Sequence, residues 1–135
     1  MYTRQETYIN QLNNILVIED LPSWQKKFRR FLKDEPFNIV VATNYLEALI
    51  LAEIYAIDLM VLDVNLSGVP YNIDGLRAAE ELWCKDKNVK IIIVSGDQGW
   101  NRRLEVYGFD PNFVLEKQSL DQDDFIRKIY QALDC

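Results

Sequence analysis

Five short aliphatic runs, rich in β-branched residues, punctuate this chain, and each is followed by a segment of helical periodicity. The runs are Ile15–Ile18, Phe37–Ala42, Asp58–Leu62, Val89–Val94 and Asn112–Leu115. They are nearly continuous in apolar character rather than alternating, which suits central parallel strands covered on both faces. The first helical stripe is Trp24, Phe28, Phe31 and Leu32, with Pro22 near the first helical position. The second is Leu46, Leu49, Ile50 and Ile54, and the third is Leu76, Ala79 and Trp83. Trp100, Leu104 and Tyr107 make a shorter fourth, stopped by Gly108 and Pro111. Phe125, Ile126, Ile129, Tyr130 and Leu133 make the fifth, opened by Ser119 or Asp121 as a cap. Alternation of this kind implies parallel strands joined by right-handed helical crossovers. The expected class is α/β, a (βα)5 chain with helices on both faces of one parallel sheet. A chain of 135 residues has room for about one domain. Residues 1–14 are polar and read as an N-terminal extension; residues 15–135 hold the domain.

The chemistry open to the chain is narrowed by one absence: it contains no histidine. That excludes Ser-His-Asp and Cys-His triads, histidine general bases and every zinc site that needs imidazole. The cysteines, Cys84 and Cys135, form no CxxC pair and read as free thiols of a reducing compartment. A net charge of -6 argues against nucleic acid as a direct partner. No run approaches the roughly 18–20 apolar residues of a membrane span. Met1 to Asn14 also lacks the apolar core of a signal peptide, so the expected location is cytoplasmic, away from the membrane. Carboxylates, hydroxyls and lysines must carry any chemistry.

In a parallel sheet covered by helices, ligands bind at the carboxyl ends of the strands. Strand 1 ends in Glu19-Asp20, strand 3 in Asp63, strand 4 in Ser95-Gly96 and strand 5 in Glu116-Lys117. A flavodoxin-like three-layer sandwich, with sheet order 2-1-3-4-5, makes strands 1, 3, 4 and 5 neighbours. Glu19, Asp20 and Asp63 then converge, with Ser95 and Lys117 beside them. Three crowded carboxylates repel one another unless protons, solvent or a cation intervene. All-oxygen ligands favour a hard ion, Mg2+ before zinc. Mg2+, a lysine and a hydroxyl around one carboxylate are the parts needed for phosphoryl transfer onto Asp63. Taken singly, each residue also has a structural reading. Glu19-Asp20 would cap the helix that follows, Ser95-Gly96 would form a turn, and Lys117 would be a solvated surface charge.

Taken together, the motifs resemble the response-regulator receiver domains of two-component signalling, over about residues 13–134. The resemblance rests on Ile15-Leu-Val-Ile-Glu19-Asp20, Asp58-Leu-Met-Val-Leu-Asp63, Asp74-Gly75-Leu76, Ile91-Ile-Ile-Val-Ser95-Gly96 and Leu115-Glu-Lys117. It implies that Asp63 is the phosphoacceptor and that Glu19 and Asp20 hold Mg2+ with Asp63. Asn65 is implied to add its backbone carbonyl to the metal. Ser95 matches the switch hydroxyl, Lys117 the lysine that contacts a phosphoryl oxygen, and Gly96 a small position beside the site. Asn65 and Asp97 match positions that tune the lifetime of the phosphoaspartate. The implied donor is a histidine kinase or histidine phosphotransfer protein, so the missing imidazole belongs to the partner. A homodimer or a downstream protein target is the implied readout. Such a protein is a signalling receiver rather than an enzyme, with self-phosphorylation and slow autodephosphorylation chemistry only.

The chain departs from the family in three places. Asp74-Gly75 stand farther from Asp63 than usual, because the loop over residues 66–73 is longer. Gln118 replaces the usual proline after the lysine, and a cis bond there would cost roughly 2.5–4 kcal/mol. The switch aromatic position holds Val114, with Phe113 one residue earlier; a bulge near Asn112 would be needed to bring Phe113 into that role. These departures leave an alternative open, a receiver-like interaction module that works without phosphorylation. An aspartyl-phosphate hydrolase is disfavoured, since it needs an aspartate where Asn65 stands. Lys26, Lys27, Arg29, Arg30 and Lys33 make the first helix basic, which reads either as a plain solvated face or as the docking surface for the phosphodonor.

Overall fold

The computed structural model describes residues 12–63, 88–96 and 110–134. Within them run β1 (Asn13–Ile18), α1 (Pro22–Leu32), β2 (Phe37–Ala42), α2 (Tyr45–Ile54), β3 (Leu59–Leu62), β4 (Lys90–Ser95), β5 (Val114–Glu116) and α3 (Gln122–Asp134). One-turn 3-10 helices, Pro111–Phe113 and Lys117–Ser119, flank β5. The sheet is parallel throughout, in the order β2-β1-β3-β4-β5. This is the expected flavodoxin-like order. The third and fourth helical patterns, the 66–73 loop, Asn65, Asp97 and both cysteines lie outside the described residues.

Alternation along each strand splits the interior into two layers. Ile15, Val17, Leu59, Val61, Ile92 and Val94 face α1 and α3, where they meet Phe28, Leu32, Phe125, Ile129 and Ala132. Leu16, Ile18, Met60, Leu62 and Ile93 face α2 and its buried Ala48. Both faces are covered, which is why the strands read as unbroken apolar runs. β1 begins at Asn13, so the last two residues of the stretch read as an extension pair with Phe37 and Asn38.

Local chemistry sets the helix ends. α1 starts with proline in its first turn, and no side chain caps it. The Glu19-Asp20 pair is therefore not spent on capping. The Asn44 side chain caps α2 by accepting from the Glu47 amide at 2.9 Å, and Glu47 accepts in return from the Thr43 amide at 3.3 Å. Asp121, rather than Ser119, caps α3 by accepting from the Asp124 amide at 3.0 Å.

One expectation is corrected. Leu46, Leu49, Ile50 and Ile54 were the expected inward stripe of α2, but Leu46 is 66% exposed, Ile50 59% and Ile54 67%. The inward face is Tyr45, Ala48, Leu49, Leu51 and Ala52. α2 is apolar nearly all round, and periodicity cannot choose a face when both faces qualify.

Candidate phosphoacceptor site

The sheet register brings the strand ends together. Ile18 of β1 lies beside Leu62 of β3, so Glu19 and Asp63 leave the sheet as neighbours. Ser95 ends β4 opposite Glu116 of β5, and Lys117 follows at once in a 3-10 turn. The Glu19 amide donates to Ala42 O at 2.9 Å and the Asp63 amide to Ile18 O at 3.1 Å, so the backbone under both carboxylates is fixed. Gln25 of α1 adds a brace, its Nε2 donating to Glu19 O at 2.7 Å.

Glu19, Asp63, Ser95 and Lys117 are all buried, and Asp20 is half-buried. Lys117 Nζ lies 2.5 Å from Glu19 Oε1 and 3.0 Å from Asp63 Oδ2. It is thus no solvated surface charge. Glu19, Asp20 and Asp63 each offer an oxygen, all within 4.8 Å of one another. Ser95 stands at the next strand end, and a Cβ on Gly96 would meet Lys117 Cδ at 3.9 Å, ordinary contact distance.

The electrostatics follow from one ammonium between two buried carboxylates. Burial first, and then the charge of Asp63, push the Glu19 carboxyl up to about 8, while Lys117 pulls the other way. Burial alone would lower Lys117; its hydrogen bond with Glu19 and the charge of Asp63 outweigh that and hold it above its ordinary value. Near neutral pH the cluster therefore keeps Lys117 charged against Asp63 and retains a proton on Glu19.

Glu19 Oε1 is buried against the Lys117 ammonium. Oxygens of three carboxylates within 4.8 Å of one another are a donor set suited to a hard divalent cation, and Mg2+ fits it. Such a cation takes charge from crowded oxygens that otherwise need a proton.

Two features were left open or missed at the level of residues. Phe113 packs into the layer of α1 and α3, whereas Val114 packs on the side of α2. No bulge turns Phe113 over; the 3-10 turn before β5 holds it on the opposite face from Val114, with Asp110 O accepting from the Phe113 amide at 3.0 Å. Trp24 was assigned to the core stripe of α1, and it does meet Phe28, with ring centroids 5.6 Å apart. Its ring also lies 4.9 Å from Lys117 Nζ. The available signal was its place in the first turn of the helix that leaves the strand end carrying Glu19 and Asp20.

The chain is 33% identical over 81 residues to a probable transcriptional regulator, ycf29, of Porphyra purpurea, covering 60% of this chain and 37% of that protein. It is 26% identical over 116 residues to the cell cycle response regulator CtrA of Brucella abortus (strain 2308), covering 86% and 48% respectively. It thus spans less than half the length of these curated relatives. The crystal structure of response regulator TrrA from Thermotoga maritima, in complex with Mg2+-BeF, superposes with a TM-score of 0.76 at 29% identity, covering 90% of this chain and 100% of that one. A CheY-like receiver domain protein from Methanospirillum hungatei shares the fold, with a TM-score of 0.76 at 20% identity, covering 92% and 95%. The response regulator receiver domain family matches residues 15–130, and with the sheet order and the strand-end carboxylates this places the chain in that family.

Proposed function

We propose that the chain is a phosphorylation switch whose acceptor is Asp63. The observation that carries this reading is the placement of Asp63 at a strand end, within 3.0 Å of the Lys117 ammonium and inside the reach of two more carboxylates. An Asp63 oxygen attacks phosphorus, the bond to the donor's imidazole nitrogen breaks, and the imidazole leaves neutral, keeping the proton already on its other ring nitrogen. Lys117 is set to take a phosphoryl oxygen, and Ser95 to donate its hydroxyl to another. Glu19, Asp20 and Asp63, with the Asn65 carbonyl, would hold Mg2+. Bound there, Mg2+ neutralises the charge that collects on the phosphoryl oxygens. A receiver of this kind is a signalling element rather than an enzyme, and its chemistry is limited to gaining and losing one phosphoryl group.

The donor in this reading is a histidine kinase or a histidine phosphotransfer protein, and the output is a change of protein contacts, with a downstream target or a second copy. Among the described residues no helix is long and apolar enough to cross a membrane, and the reading is of a cytoplasmic switch. Incubation with acetyl phosphate or phosphoramidate and Mg2+ tests it. The expected result is a mass gain of one phosphoryl group, absent in Asp63→Asn. No gain with either donor overturns it and favours a second reading, an interaction module that works without phosphorylation. That second reading is motivated by the placement of Val114, not Phe113, on the side of the sheet covered by α2.

A further inference from the structure

Among the described residues, three groups surround the Lys117 ammonium. Two are the carboxylates of Glu19 and Asp63, at 2.5 and 3.0 Å, and the third is the ring of Trp24, at 4.9 Å from the centroid. The carboxylates are not permanent partners. They are the same groups whose oxygens suit a divalent cation, and a cation on them takes up much of the charge that holds the lysine. Lys117 is buried, so an ammonium deserted by its counter-charges is costly there. The indole ring differs from the carboxylates in two respects. Its π face attracts a cation, and it offers no oxygen for which Mg2+ competes.

The ring is itself anchored. Trp24 sits in the first turn of α1 and meets Phe28, which in turn meets Phe125 of α3 at 5.5 Å. Phe28 and Phe125 are both fully buried, so the indole rests on the rigid layer between α1 and α3. Lys27 Nζ also approaches the Trp24 ring, at 4.5 Å, so the indole serves one ammonium of the site and one of the basic helix.

We propose that Trp24 is a positioning residue for Lys117: its ring keeps the ammonium beside Asp63 when a divalent cation occupies the carboxylates. This rests on the reading of Asp63 as phosphoacceptor, but its geometric half does not depend on phosphorylation. A residue that only filled the core or only met a protein partner would not act on Lys117.

Two measurements on the full chain decide it. The first is the NMR shift of the Lys117 ε-methylene protons, assigned by their loss in Lys117→Arg. Stacking on an indole moves them upfield. The displacement is expected to persist in Mg2+-saturated protein and to vanish in Trp24→Leu. An ordinary shift in the Mg2+-saturated wild type overturns the proposal, whether or not Asp63 takes a phosphoryl group. The second is the initial rate of phosphorylation by acetyl phosphate at saturating Mg2+, a donor that needs no docking surface. Trp24→Leu should slow it by about tenfold, the scale of a partly desolvated ammonium–ring contact. Trp24→Phe, which keeps an aromatic face and folds more conservatively, should restore most of the rate. In a Lys117→Met background, Trp24→Leu should have no further effect. If Trp24→Leu matches wild type, or if Trp24→Phe is as slow as Trp24→Leu, the proposal falls. If wild type itself takes no phosphoryl group, the phosphoacceptor reading fails, and the methylene shift alone decides the positioning role.

Discussion

The two ends of the same sheet solve opposite problems. At the amino end, polar groups of β1, β2 and the turn before β3 satisfy one another. Asp58 Oδ2 accepts from the Asn14 amide at 2.8 Å, Asn14 Nδ2 donates to Ala56 O at 2.8 Å, and Asn38 Nδ2 donates to Asn14 Oδ1 at 3.1 Å. Asp58 is partly exposed and its carboxylate has a backbone donor. At the carboxyl end, Glu19 and Asp63 are buried and repel each other, with the Lys117 ammonium set against both. Saturated polar groups hold strands in register. Crowded carboxylates keep a place for a cation and are tolerated because the layers beneath them are well packed.

The sharpest way to break this contrast is to exchange the roles of two aspartates on either end of β3. Asp63→Asn should abolish phosphoryl uptake from a small donor, while Asp58→Asn should leave it unchanged; intact-mass spectrometry reads both. Loss of uptake in Asp58→Asn would mean that the amino end is part of the reacting machinery.

The next effect is on pH. Glu19 titrates near 8 in the folded protein against 4.5 in an exposed chain. The folded state therefore binds the extra proton between those values, and stability without Mg2+ falls as pH rises across that window. Mg2+ must displace the same proton, so its affinity should rise with pH by up to about tenfold per unit until Glu19 is ionised near pH 8. Chemical denaturation and Mg2+ titration as functions of pH check the two slopes, and Glu19→Gln should flatten both. A metal affinity independent of pH would remove the idea of a proton held at the carboxyl end.

A smaller effect is expected at the amino end. Asp58→Ala strands the partly buried Asn14 amide and should cost about 1–3 kcal/mol in denaturant unfolding, with Mg2+ affinity unchanged. Smallest of all, Ile50→Ser on the outer face of α2 should change stability by no more than about 0.5 kcal/mol. A large loss there would show that the exposed stripe is covered in solution.

The strands were readable because they are buried on both faces, which leaves unbroken apolar runs with charged groups at their ends. Glu19, Asp63, Ser95 and Lys117 could be placed from those ends, once the flavodoxin-like sheet order was supposed. The face of α2 could not be read, since Leu46 and Ile50 are as apolar as Ala48 and Leu49, and only packing distinguishes them. Phe113 was undecided for a different reason. Strand β5 was expected from Asn112, but Asp110 draws Asn112 and Phe113 into a 3-10 turn, its Oδ1 accepting from the Asn112 amide at 2.9 Å. The side assigned to each residue then depends on where the turn ends. Trp24 fits the helical stripe and was read as core; that it also faces an ammonium is set by the length of the Lys117 side chain reaching across from β5.

Lys117 is carried by the weakest part of the sheet. β5 has three residues and, among the described residues, lies at an edge beside β4. Pulling three residues off an edge takes far less energy than unfolding the molecule, so this strand belongs to the low end of the opening spectrum. Each such excursion withdraws the ammonium from Glu19 and Asp63 while β1, β3 and β4 stay paired. The lifetime of the assembled charge cluster is thus governed by sub-global opening of β5 rather than by global stability. Amide exchange of Val114–Glu116 would report it directly, running ahead of exchange in Leu59–Leu62 under conditions where the protein as a whole remains folded.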